Sequence, residues 1–184
     1  MSKIVSLLFV LVLLSCCFAN AQHITFKGME LNCTSKDLAN HLVSTGYRFV
    51  GEVYDMYLLE GTFAGENAEL FVVGEKNTKL VEAVQVKFDV EKSWESLKDK
   101  YLLFKSSLSE KYGDGNSMEL FTEPYYEGDG KELEAVESKK CQYRTEFNAD
   151  NGKIIISIDK SKKVMIEYRV DTKKSQEEQR KSDL

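Results

Sequence analysis

Cys141-Gln142-Tyr143-Arg144-Thr145-Glu146-Phe147-Asn148-Ala149-Asp150-Asn151-Gly152-Lys153-Ile154-Ile155-Ile156-Ser157-Ile158 reads as two strands and the turn between them. Cys141, Tyr143, Thr145 and Phe147 fall on one face of the first strand, because side chains alternate sides along a strand with period two. Asp150-Asn151-Gly152 supplies the residues that tolerate positive φ in a tight hairpin. Ile154, Ile156 and Ile158 continue the apolar face, and Ile155 stands on the opposite one. Lys160 to Lys163 turns the chain again into Val164, Ile166, Tyr168 and Val170. Strands joined by turns this short are antiparallel neighbours.

Upstream lies the strongest helix signal in the chain. Ser93 is a capping residue, and Trp94, Leu97, Tyr101, Phe104, Leu108 and Tyr112 recur at three- and four-residue spacing before Gly113. One apolar stripe of this kind covers the chain's own sheet. An irregular stretch from Gly113 to Gly130 and a short helical turn at Lys131 to Ser138 join this helix to the strands.

The same order holds further upstream. Thr34-Ser35-Lys36-Asp37 offers capping hydroxyls and an acidic first turn, Leu38, Leu42 and Val43 form a narrow apolar face, and Gly46 ends the helix. Strands are expected at Tyr47 to Val50, Val53 to Leu59 and Ala68 to Val73, with a turn over Gly61 to Asn67. Val84, Val86 and Phe88 then alternate with Ala83, Gln85 and Lys87 in a fourth strand. His23 to Leu31 is a short, partly alternating lead-in, and Thr172 to Leu184 reads as a charged flexible tail.

Helix followed by strands, twice over, predicts an α+β domain at residues 22–171. Its antiparallel sheet has about seven or eight strands, with two main helices on one face. A two-lobed sheet or a saddle would keep the same order in each half.

Residues 1–21 read as a signal peptide. Lys3 is followed by the apolar run Ile4 to Leu14, and Ala19-Asn20-Ala21 is a small-x-small cleavage site before Gln22. The run falls short of the roughly 20 residues that span a bilayer. An alternative reading takes Leu13-Leu14-Ser15-Cys16 as a lipobox, with a lipid anchor at Cys16. Cleavage leaves 24 basic against 30 acidic side chains, a net charge of −6. That balance gives no electrostatic reason to bind nucleic acid or to adsorb to a membrane through a basic face.

Phe26-Lys27-Gly28-Met29, the helix ending in Glu110-Lys111-Tyr112-Gly113 and the strand Cys141-Gln142-Tyr143-Arg144-Thr145-Glu146-Phe147 together resemble a group of small exported proteins of Bacteroidetes. The resemblance implies a periplasmic or secreted location and no particular activity.

Catalytic signatures are sparse. His23 and His41 have no companions at metal-ligand spacing, and no Gly-x-Ser-x-Gly, His-Glu-x-x-His or glycine-rich phosphate loop is present. The sequence therefore suggests no catalytic residue, metal or cofactor. One segment stands apart: Phe121-Thr122-Glu123-Pro124-Tyr125-Tyr126-Glu127-Gly128-Asp129-Gly130 sets aromatics among acids in a loop. Tyrosine offers a flat apolar face and a hydroxyl, which suits recognition surfaces. Tyr125, Tyr126, Glu123 and Glu127 are the candidate ligand-binding residues, for a protein, peptide or glycan partner. The rival reading is a hydrolase using surface carboxylates, which would need a pair about 5–10 Å apart. Cys33 and Cys141, the two cysteines left after cleavage, form a candidate disulfide because export favours oxidised thiols.

Overall fold

A computed structural model describes residues 23–182. The signal segment, its cleavage site and Cys16 lie outside the described residues. A small hairpin, β1 (Thr25–Phe26) and β2 (Met29–Glu30), leads into α1 (Ser35–Ser44) and the strands β3 (Arg48–Val53), β4 (Met56–Phe63), β5 (Glu66–Gly74) and β6 (Val81–Phe88). Next come α2 (Trp94–Tyr112), β7 (Asn116–Phe121), the short α3 (Glu132–Glu137), β8 (Cys141–Ala149), β9 (Gly152–Ile158), β10 (Val164–Val170) and α4 (Thr172–Ser182). The class is α+β, as expected.

β3 to β10 form one eight-stranded antiparallel sheet in the order β3-β4-β5-β6-β10-β9-β8-β7. Each helix-led half contributes a four-stranded meander, and the second is laid down in reverse order beside the first. The strand order is thus symmetric about the β6–β10 pair, and the two halves share a topology. They differ in helix length, 10 residues in α1 against 19 in α2, and at one connection: Tyr54–Asp55 joins β3 to β4, whereas residues 122–140, including α3, join β7 to β8.

The register draws one apolar band across the inner face of the six inner strands, β4 to β6 and β8 to β10. Leu59 faces Leu70, Leu70 faces Val86, Val86 faces Ile166, Ile166 faces Ile156, and Ile156 faces Thr145. The parallel row runs Tyr57, Val72, Val84, Tyr168, Ile154, Phe147. Nearly all of these side chains are buried, because α1 and α2 lie over this face with Leu38, Leu42, Leu97, Tyr101, Phe104 and Leu108 inward. Phe104 stacks on Phe88 at 4.4 Å between ring centroids. Phe26 of the N-terminal hairpin stacks on Phe63 and meets Tyr168 edge-on. Ser93 caps α2 by accepting from the amide of Ser96, and Thr34 caps α1 by accepting from that of Asp37.

Four expectations are corrected. The strands expected at Tyr47 to Val50 and Val53 to Leu59 divide elsewhere: β3 runs on through Gly51, beside a bulge, to Val53, and the chain reverses at Tyr54, where φ is +56°. Gly61 lies within β4, because the Tyr47 ring occupies the space that a Cβ would need, at 2.5 Å. The stretch read as irregular contains β7, an edge strand that is exposed along most of its length. The charged tail is helical through Ser182: Asp171 accepts from the amides of Lys173 and Lys174, and Ser175 is buried.

The cysteines also depart from expectation. The Cys33 carbonyl accepts from the amide of Val81, at the start of β6. Cys141 opens β8 opposite Phe121, at the end of the sheet where β6 finishes. β6 alone separates those ends by roughly 20 Å at the usual rise of a strand. A disulfide tolerates a Cα separation of about 7 Å at most. Both thiols are accordingly free, and each is half-buried. Burial pushes Cys33 up to about 11 and Cys141 up to about 12. Titration of the chain beginning at Gln22 with a thiol reagent at pH 8 is expected to find two reactive thiols after denaturation without reductant, and slow modification of both in the native protein. A denatured chain with none would mean that the bridge forms.

Candidate functional site

The segment joining β7 to β8 begins as the chain leaves the sheet at Phe121. Trp94 from the first turn of α2, Phe121 from β7 and Tyr143 from β8 form an edge-to-face cluster with centroid distances of 5.0 to 6.1 Å. Tyr101 extends the cluster along α2, 5.5 Å from Tyr143. Below it, the Tyr101 hydroxyl is within 2.7 Å of that of Thr145 and donates to Glu119, which also holds the Lys105 ammonium. These contacts fix α2 to the edge of the sheet on which the loop is mounted.

The loop's acids are largely engaged in shaping the loop. Glu127 takes the Lys98 ammonium from α2, accepts from the Tyr143 hydroxyl at 3.2 Å and is bonded by Trp94. The Lys98 contact, the largest influence, holds the Glu127 carboxyl below the usual carboxylate range, with smaller help from Tyr143 and Trp94. Glu132, buried at the start of α3, accepts from the amide of Gly128 at 2.7 Å. Asp129 accepts from the amide of Tyr126 at 3.2 Å and from that of Lys131 at 2.7 Å. α3 anchors the far side through Ala135 and Val136, both buried.

The four candidate residues therefore separate. Tyr126 is 65 % exposed at the tip of the loop. Tyr125 is half-buried beside it, and Glu123 is exposed. Glu127 is the clamp that fastens the loop to α2 and β8. Tyr125 and Tyr126 line a depression of about 340 Å³ together with Pro124, Asp129, Lys131 and Glu134. Lys98, Tyr143 and Trp94, which position the loop, are not among the site residues the sequence suggests, although Trp94 and Tyr143 stand in its apolar stripe and strand face. A carboxylate beside two tyrosines gives no hint that its partners lie a helix and a strand away. Lys131 and Glu134 follow the aromatic stretch so closely that the charged start of α3 was a readable signal.

Among the described residues, no group of three or more His, Cys, Asp or Glu side chains is placed to hold a metal ion. No described helix is long and apolar enough to cross a membrane. No family model, curated protein or solved structure matches the chain.

Because the folded state holds the Glu127 carboxyl below its ordinary value, its clamp contributes fully above the usual carboxylate range. It is lost as pH falls below the usual carboxylate range through the folded value. The protection of residues 122–131 against hydrogen exchange, relative to the intrinsic rate at each pH, is expected to fall over that range while the sheet stays protected. Glu127→Gln should show the faster loop exchange at neutral pH and little further change on acidification. A loop equally protected in Glu127→Gln would contradict the clamp.

Proposed function

We propose that the chain is an exported, non-enzymatic binding or envelope-associated protein that meets its partner through residues 122–131. The observation that carries this reading is the pinned aromatic loop. The two halves share one plan, and the long β7–β8 connection is the departure from it. Joining two antiparallel strands needs only a tight turn, as Tyr54–Asp55 demonstrates between β3 and β4. The extra chain carries an exposed Tyr126, is held by three carboxylates and is packed onto the core by α3. A rigid tyrosine offers contact area at little entropic cost, and a loop fixed before encounter loses little freedom on binding.

Export rests on the composition of residues 1–21, with cleavage before Gln22 and lipid anchoring at Cys16 as the two routes to a periplasmic, secreted or envelope-bound protein. Tyr125, Tyr126 and Glu123 are the contact residues of this reading, and Glu127 holds them in position.

Capture from an envelope extract with the exported chain as bait tests the proposal. Tyr125→Ala/Tyr126→Ala should lose at least one partner retained by the wild type, while far-ultraviolet circular dichroism stays unchanged. Equal recovery of every partner by both baits would remove the loop from function.

A further inference from the structure

We propose that β7 pairs with β7 of a second copy, antiparallel across a twofold axis, so that the chain forms a symmetric dimer with one continuous sheet. The dimer is independent of what the loop at residues 122–131 binds. It follows from the phase of the hydrogen-bond ladder at the two edges of the sheet.

The amide of Thr122 donates to the carbonyl of Lys140. Bonding alternates along an antiparallel pair, so Asn116, Met118 and Leu120 turn their backbone groups toward β8. Ser117, Glu119 and Phe121 turn theirs outward, because β7 is the last strand of the sheet. The register with β8 runs unbroken from Asn116 to Phe121. Such a row of donors and acceptors is a template for another extended chain. On the outer face it is flanked by Met118 and Leu120, which are 50 % and 43 % exposed.

The opposite edge is broken. The amide of Gly74 donates to the carbonyl of Asp55, so Tyr57 and Leu59 of β4 bond to β5, while Leu58 and Glu60 bond to β3. Phe49, opposite Leu59, and Glu52, opposite Tyr57, are therefore the β3 residues that face outward. The bulge sets them three residues apart, where a regular ladder needs a spacing of two. A bulged edge resists further pairing. Copies joined β7 to β3 would add head to tail without closing, and the bulge opposes that contact. Pairing of β7 with itself is isologous and stops at two copies.

β7 is self-complementary in one register. Outward-facing residues must meet outward-facing residues, so the axis passes through a residue and not between two. An axis at Ser117 leaves Leu120 and Phe121 beyond the partner strand. An axis at Glu119 sets two carboxylates directly opposite, which opposes pairing even with Lys105 beside each. An axis at Met118 sets Ser117 opposite the second copy's Glu119, a hydroxyl against a carboxylate. It also places the two Met118 side chains together in a non-hydrogen-bonded pair, where side chains approach most closely. Phe121 then lies opposite Gly115 of the second copy. The two loops leave the shared sheet at opposite ends, about 20 Å apart along the strands at their usual rise. A partner with repeated epitopes could engage both.

Sedimentation of the chain beginning at Gln22 tests the proposal. It should show a monomer–dimer equilibrium with a Kd of about 100 μM or tighter, as befits a small interface. Met118→Lys sets two ammonium groups opposite each other at the axis and should weaken the dimer at least about tenfold, with unchanged far-ultraviolet circular dichroism because Met118 is exposed. Val53→Lys, exposed on the other edge, should leave the equilibrium unchanged. Under mild oxidation Met118→Cys should link two copies, since the paired Cα atoms lie about 4.5 Å apart, within disulfide reach. Leu120→Cys, which faces Asn116 of the second copy, should not. Should Met118→Lys fail to fold, the two cysteine variants decide. A chain still monomeric at about 1 mM, a dimer unmoved by Met118→Lys, faster linkage through Leu120→Cys than through Met118→Cys, or assemblies that grow past two copies would overturn the proposal.

Discussion

The pairing of β6 with β10 is the interaction on which the rest of the structure depends. Each meander alone is a four-stranded sheet that would leave its junction edge, β6 or β10, with unpaired backbone groups. Val84 opposite Tyr168 and Val86 opposite Ile166 join the two apolar faces into one. On the outer face the same junction sets Gln85 opposite Glu167, and the amide nitrogen of Gln85 donates to the carboxylate at 2.8 Å. Glu167 also carries an ion pair with Arg169, which makes this nearly buried carboxylate tolerable at the centre of the sheet. Once the faces are joined, α1 and α2 cover a single continuous layer, in which Phe88 meets Phe63 of the first half and Phe104 of the second.

The loop at residues 122–140 draws its rigidity from this platform. Its connection starts and ends at adjacent strands, so it could have closed with two residues, as its counterpart between β3 and β4 does. The extra chain stays ordered because its polar groups bond to itself and to α2. Glu127 reaches out to Lys98 and Tyr143, Glu132 folds back to Gly128, and Asp129 bridges Tyr126 and Lys131. Among these acids the exposed Tyr126 is a surface feature that the core does not require. That separation between fold-maintaining and free side chains gives the binding reading its residues.

Much of this architecture was legible in the chain. The stripe from Trp94 to Tyr112 and the alternation in Val84–Phe88, Cys141–Phe147 and Val164–Val170 are strong because these segments have one buried face and one wet face. β7 was not legible for the opposite reason: Asn116 to Leu120 are exposed, so burial imposed no alternation on them. Gly61 mimicked the start of a turn, yet it lies within β4 and makes room for the Tyr47 ring, a contact distant in sequence. α4 was obscured because its stabilisers are a cap from Asp171 and one buried Ser175, with no apolar stripe. At the loop, the aromatic–acidic composition was visible. The division of labour between Glu127 and Tyr126 was not, because it depends on Lys98 and Tyr143 arriving from other elements.

Native-state hydrogen exchange tests most directly whether the two meanders form one cooperative body through β6 and β10. The slowest amides should lie in β6, β10 and the adjoining β5 and β9, sharing one opening free energy and one dependence on denaturant. That outcome would make the junction part of the global unfolding unit. Two sets of amides, one per meander, with the β6–β10 bonds opening before either, would contradict it.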